Sequence, residues 1–424
     1  MFKELFDFSY IFPADKDRKL LFLFMLTMLV YSMNIVSEDI PLSLALLFCS
    51  FCPIELTFFL FTFYSLFESV AVFSFGPTLN VPLQLVIFLR VVIYLYRHTA
   101  ILKKSMAGIR QGYGIYWLIY AILAIAAWGN VTGVALFFRI IISLMVIRFV
   151  QIQKRPFEFW KAIFHVLVFS VLCSVVYGLF NETSLEREIE GFSGGSAFQL
   201  FGSLGTTRLG MFLVSALNYP LYFVKDKRLK YFMIAALTAL TLMTVSMTAT
   251  ALLFVCFAIY LYSKKISTKV VLTSLVSVVL LAGTFNVWSK ISFVEPVVAR
   301  ANNIINLASI GDMDDATTGR EYIKEMYLRE LNNRTVLQKT FGIFNPDNFD
   351  LRIGKLAHNS YIDIIAYNGL LGIVVLLFYC FRTVFFYRET EVFYPILSMK
   401  LVLLIAAYTV SFFTSVYWTW FLFL

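Results

Sequence analysis

Apolar positions run along this chain in long blocks separated by short polar interruptions. A helix needs about 20 predominantly apolar residues to cross the hydrocarbon core of a bilayer. By that measure the candidate spans are 20–37, 40–52, 54–75, 81–97, 113–128, 131–149, 159–180, 208–224, 231–246, 248–263, 269–288, 358–381 and 395–413. A last apolar piece covers 414–424. Pro53 separates the second block from the third, so that pair reads as a tight hairpin or as one kinked helix. The pattern predicts an all-α polytopic membrane protein with roughly 12–14 transmembrane helices.

Polar residues are concentrated in two long interruptions. The first, 181–207, is acidic at its start (Glu182, Glu186, Glu188, Glu190) and rich in Gly and Ser later. The second, 289–357, carries an amphipathic helix pattern over 319–334 (GREYIKEMYLRELNNR) and closes on a turn-rich stretch, GIFNPDNFDLRIGK. Loops of this length in a compact protein are functional or disordered. The aromatics and helical period of the second favour order. The chain thus divides into N-terminal transmembrane helices (1–180), a first extracytoplasmic loop (181–207), central helices (208–288), a large extracytoplasmic loop (289–357) and C-terminal helices (358–424).

Composition agrees. The chain is 60% hydrophobic and 14% charged, against about 45–50% and about 25% in an ordinary soluble domain. The formal charge of +9 does not point to nucleic acid, because the basic residues are spread over many short loops. Their distribution sets an orientation instead. With the N-terminus cytoplasmic, the inner segments hold Arg97, Lys103, Lys104, Arg110, Lys154, Arg155, Lys225, Lys227, Arg228, Lys230, Lys264, Lys265, Lys269, Arg382 and Arg388. The short outer loops at 38–39, 76–80 and 129–130 hold no Lys or Arg. Residues 1–19 are mixed in charge and no small-residue cleavage site follows the first span, so that helix reads as a retained anchor. The expected arrangement is multi-pass, with the N-terminus cytoplasmic and the long loops outside.

All five cysteines (Cys49, Cys52, Cys173, Cys256, Cys380) fall in apolar runs and read as buried hydrophobes. Asp312-Met313-Asp314-Asp315 contains a D-x-D, which reads as an acidic turn or as a metal-diphosphate clamp. The cluster Gly191-Phe192-Ser193-Gly194-Gly195 lacks the Lys of a P-loop, so ATP-driven transport is not supported. No internal repeat is evident, which weighs against inverted-repeat transporters.

The outer face gathers cations: Arg208, Arg300, Arg320, Arg329, Arg334, Arg352, Lys355 and His358. Guanidinium groups match phosphate geometry with a two-pronged fork. His358, Asn359 and Ser360 stand where the large loop enters a span, and a helix N-terminus there attracts anions. These features suit a phosphate or pyrophosphate at the outer boundary; the competing reading is a solvated face paired with local carboxylates. Of the three histidines, His98 lies in a basic loop and His165 lies inside a span with no evident partner. His358 is the best placed general base. Arg90, Arg139 and Lys400 fall within spans, where a charge faces a cavity, finds a partner or snorkels.

The segment Leu356-Ala357-His358-Asn359-Ser360-Tyr361, continuing to Gly369-Leu370-Leu371-Gly372, resembles the signature region of bacterial O-antigen polymerases and ligases. There an HN-x-[YF] motif follows a large periplasmic loop and precedes a G-x-x-G. Thr318-Gly319-Arg320 resembles the family's [ST]-G-R, and Gly342-Ile343-Phe344 its G-x-G, with Phe344 replacing the second glycine. Thr207-Arg208-Leu209-Gly210 resembles the arginine that closes the first long loop. The strong part covers 318–382. Ser246-Met247-Thr248-Ala249-Thr250 stands where many members carry Ser-Arg, so no role is carried over from that arginine.

The resemblance implies a GT-C-like glycosyltransferase of a bacterial cytoplasmic (inner) membrane that takes a glycan from a polyprenyl-pyrophosphate carrier, its site facing the periplasm or exterior. Donor and acceptor are both lipid-linked repeat units for a polymerase; for a ligase the acceptor is a lipid A core sugar. Arg208 and Arg320 are then assigned to the developing pyrophosphate charge and His358 to the acceptor proton, with Glu321 and Asp363 as rival bases. Arg139, Arg300, Arg352, Lys355, Asn359 and Tyr361 are assigned to pyrophosphate and glycan binding, with Asn359 expected to serve mainly as the cap of the helix that follows. The implied transfer is inverting, uses no metal and no cofactor, and has membrane lipids and a chain-length regulator as partners. Polymerase is preferred to ligase, because a sequence with weak flanking motifs fits an enzyme shaped to one repeat unit. A polysaccharide flippase is the reading from a different class.

Overall fold

The structure is a computed structural model of the chain. It describes residues 7–37, 39–54, 56–57, 85–87, 89–90, 92–94, 96–97, 156–180, 206–244, 246–265, 306, 320–342 and 359–408. Among these, every regular element is helical: α1 (Asp15–Ser32), α2 (Asp39–Phe51), α3 (Pro156–Phe180), α4 (Thr206–Ala216), α5 (Asn218–Tyr222), α6 (Lys227–Met243), α7 (Met247–Ser263), α8 (Arg320–Asn332), α9 (Val336–Phe341), α10 (Ser360–Phe386) and α11 (Phe393–Ala406). The expected spans at 113–128, 131–149, 269–288 and 414–424 lie outside the described residues.

Helix starts are set by polar residues that a hydropathy count passes over. Asp226 caps α6 by accepting from the Arg228 N–H, and Ser246 caps α7 by accepting from Ala249. Pro156 opens α3, where its missing N–H costs nothing. α1 begins at Asp15, ahead of the apolar block at 20, because Asp15 and Asp17 suit the positive end of the helix. Lys19 hydrogen-bonds Asp15 and holds its carboxyl below the usual range. The expected span 208–224 is divided between α4 and α5, with Leu217 between them.

The helices run up and down the bundle, and aromatic pairs fix their levels. The end of the bundle that holds the start of α1 is termed lower. There Phe157 of α3 meets Phe223 after α5 at 5.3 Å, and Trp160 meets Tyr387 at 5.8 Å. Tyr262 near the end of α7 meets Tyr394 near the start of α11 at 6.2 Å. Lys230 of α6 donates to the Leu221 carbonyl at 2.8 Å and to Tyr260 at 3.2 Å. At the upper end Tyr31 of α1 stacks on Tyr177 of α3 at 6.0 Å, and Ser360 donates its N–H to the Ala407 carbonyl at 2.8 Å. Lys16, Arg18, Lys19, Lys225, Lys227, Arg228, Lys230, Lys264, Lys265 and Arg388 thus gather at the lower end. The turns joining α1 to α2 and α6 to α7 at the upper end contain no Lys or Arg.

α4 packs against α3, α5, α6, α7 and α11 and forms the hub of the core. Its Gly210 allows the close approach of α7: a Cβ there would lie 2.2 Å from the Ala249 Cβ. Among the described residues, two helices are long and apolar enough to cross a membrane, Phe157–Tyr177 and Gly369–Phe386. The first runs through the interior. The second exposes Leu370, Val374, Phe378, Phe381 and Phe385, a stripe at helical spacing that needs an apolar surrounding.

The N-terminal segment docks on α3. Phe8 and Tyr219 stack on the two sides of His165 at 4.3 and 4.5 Å, and the Tyr10 hydroxyl lies 3.2 Å from His165 Nδ1. His165 therefore has a partner that spacing along α3 could not reveal.

Candidate functional site

The upper end brings together the segments that carry the candidate chemistry. α4, α7, α8 and α10 all begin there. For α4 and α7 the register follows from Gly210 beside Ala249 and from Cys256 near the Val214 carbonyl. α7 and α11 run antiparallel, through Ser398 beside Cys256 and Tyr262 beside Tyr394. The end of α11 therefore lies level with the starts of α4 and α7. Ser360 joins α10 to that level through Ala407, and the Tyr361 hydroxyl donates to the Leu404 carbonyl at 2.6 Å.

α8 runs alongside the opening half of α10. Ile323, Tyr327 and Leu331 form one face, at i, i+4 and i+8, and pack with Ile362, Ala366 and Ile365. Lys324 lies 5.8 Å from the Tyr408 ring, next to the end of α11. At the other end of α8, Arg334 reaches Ala366, deeper along α10. The two helices therefore start at the same end. The positive ends of four helix dipoles are arrayed on one side of the bundle, a setting that favours a bound anion.

Asn359 caps α10: its Oδ1 accepts from Tyr361 N–H at 3.0 Å and from Ile362 N–H at 3.2 Å. Asn359 is buried and Tyr361 half-buried. The Asn359 amide oxygen is thus engaged in capping α10, and the Tyr361 hydroxyl in holding its start against α11. Arg208 occupies the opening turn of α4 and Arg320 is the first residue of α8. Glu321 and Asp363 lie in the opening turns of α8 and α10. His358, Arg139, Arg300, Arg352, Lys355 and the Asp312–Asp315 stretch lie outside the described residues.

Two of the cations expected on the outer face have other tasks. Arg329 pairs with Glu325 one turn earlier at 3.4 Å, both exposed, as a solvated helix face does. Arg334 is buried, and its Nη1 donates to the Ala366 carbonyl at 2.6 Å. Within the spans, Arg90 donates to the carbonyls of Ser50 and Cys52, closing the C-terminal end of α2 where Pro53 stops the helix. Lys400 is buried within α11. All five cysteines are free and buried, and no group of three metal-ligating side chains occurs among the described residues.

The tertiary contact that sequence reading did not find is the break in α10. Gly369 has φ 68° and ψ −175°, and Gly342, which ends α9, has φ 84° and ψ −177°. Both lie in a region that only glycine occupies readily. They also meet: a Cβ on Gly369 would lie 2.2 Å from the Thr340 carbonyl oxygen and 2.6 Å from the Gly342 nitrogen. The available signal was Gly369 inside an apolar block, a position where glycine costs helix stability.

No protein-family model, curated protein or solved structure matches the chain.

Proposed function

We propose that this protein is a membrane glycosyltransferase of GT-C-like architecture in a bacterial inner membrane. It polymerises polyprenyl-pyrophosphate-linked oligosaccharide repeats into O-antigen or another surface polysaccharide. The observation that carries the reading is the grouping of motif-bearing helix starts at the upper end. Arg208 opens α4, Arg320 opens α8, and the His-Asn segment leads into α10. The leaving pyrophosphate needs positive charge aimed at the oxygens where negative charge develops. Arg208, Arg320 and the helix dipoles supply it in this reading, and His358 takes the proton from the acceptor hydroxyl. Orientation follows from the lower end, whose gathered Lys and Arg mark it as cytoplasmic, leaving the site on the outer face.

The test is incubation of the purified protein in detergent or vesicles with a polyprenyl-pyrophosphate repeat unit, read on a gel. A ladder supports the polymerase. Transfer to a lipid A core acceptor without a ladder assigns the ligase. Passage of the carrier across the bilayer without any new glycosidic bond assigns the flippase. Orientation is checked independently by labelling Asp314→Cys, which should react from outside only.

A further inference from the structure

We propose that Arg334, together with the Gly342–Gly369 contact, is a positioning device for this chemistry. It locks helices α8 and α9 to the broken helix α10, and so holds the first turn of α8 at a fixed separation from Asn359 at the start of α10. This rests on the glycosyltransferase reading above and adds a role for a residue that does not touch substrate.

The break in α10 creates the need for such a device. In an unbroken helix the Ala366 carbonyl would accept from the Leu370 N–H. The positive φ of Gly369 interrupts the helical geometry on which that bond depends. A carbonyl left alone in an apolar interior is costly. Arg334 supplies the replacement donor from the loop, at 2.6 Å. The cost of burying its charge makes the contact conditional on the loop being seated.

Three further observations place the lock between loop and span. Gly342 and Gly369 approach so closely that neither backbone has room for a side chain at Gly369. Thr335 and Gln338 form a reciprocal cap at the start of α9, which fixes the short helix directly after Arg334. The Ile323–Tyr327–Leu331 face then seats α8 on Ile362 and Ala366, upstream of the break. Loop and span are thereby joined on both sides of Arg334. Displacing a catalytic group by about 1 Å can cost on the order of 10²-fold in rate, so a lock of this kind is felt in kcat.

The experiment compares wild type, Arg334→Met and Arg334→Lys in the ladder assay. It also measures the distance between spin labels on Leu328→Cys of α8 and Leu370→Cys of α10. Both sites are exposed, and the native cysteines are buried. Met keeps the aliphatic packing and removes the donors. The expected result is a second, longer distance population in Arg334→Met and a kcat loss on the order of 10²-fold, with KM for the repeat unit changed less than about threefold. Lys restores one donor and should recover about tenfold of the loss. An unchanged distance distribution in Arg334→Met overturns the proposal, and so does a changed distribution with unchanged kcat. If the Met variant is not monodisperse, Lys carries the test: native distances together with native kcat overturn the lock. If wild type forms no ladder, the polymerase reading falls. The spin-label arm then decides the lock alone, a broadened distribution supporting it and an unchanged one refuting it.

Discussion

Replacing Gly369 by Ala adds a single methyl group at the point where the large loop meets α10. The backbone there has φ 68° and ψ −175°, a conformation that costs an L-residue about 1–3 kcal/mol. The new Cβ would lie 2.2 Å from the Thr340 oxygen and 2.4 Å from its carbonyl carbon. Overpacking of this kind costs about 1–3 kcal/mol. Both effects have the same sign, and the sum is about 2–6 kcal/mol. The obstructing atoms are backbone, so α9 must move as a unit or α10 must straighten. Equilibrium unfolding in mixed micelles measures the loss. Limited trypsin digestion then reports where it falls, with faster cleavage after Arg334 and Lys339 if α9 is released. Because the clash is with the main chain, trimming the neighbour in a Gly369→Ala/Thr340→Ala double variant should give no rescue and near-zero coupling. A Gly369→Ala protein within about 0.5 kcal/mol of wild type, with an unaltered digestion pattern, would refute the assignment of a glycine-only break.

Three other outcomes are expected. Asn359→Ala removes the cap of α10 and should cost about 0.5–2 kcal/mol in the same unfolding assay, while Asn359→Asp should retain most of it. Arg208→Ala and Arg320→Ala should insert normally yet lose most transfer in the ladder assay, with Arg320→Lys only partly active because it offers no two-pronged fork; full activity of both Ala variants would move the pyrophosphate to Arg300, Arg352 or Lys355. A pH–rate profile tests His358. A neutral imidazole base, of pKa about 6.5 when unperturbed, is lost as pH falls through its pKa, so wild type should show an acid limb, and a His358→Gln variant that keeps both a substantial rate and that limb would transfer the role to another group.

Much of this molecule is legible without its structure, because the relevant forces act along short stretches of chain. The apolar blocks mark helices through hydrophobic spacing alone. The pattern at 319–334 marks α8, since one face of a helix repeats every three or four residues and Ile323, Tyr327 and Leu331 follow that repeat. The cap at Asn359 is equally local, being a side chain that bonds to N–H groups two and three residues ahead. Lys and Arg in short loops anticipate which helix ends share a side of the bundle.

Other features depend on residues far apart in sequence. His165 finds its partner in Tyr10, and Arg90 finds the end of α2, only when separate segments are brought together. The outer cations look alike as a list of charges, yet Arg329 faces solvent beside Glu325 while Arg334 is drawn inside to a carbonyl of α10. What separates them is the broken hydrogen-bond ladder at Gly369. At that break the backbone of α9 lies against α10 where a side chain would not fit, a contact between segments that local propensity does not specify. Composition determines that the chain forms apolar helices interrupted by a long polar loop. The tertiary packing decides where that loop is fastened, because the carbonyl it satisfies is exposed only by the fold itself.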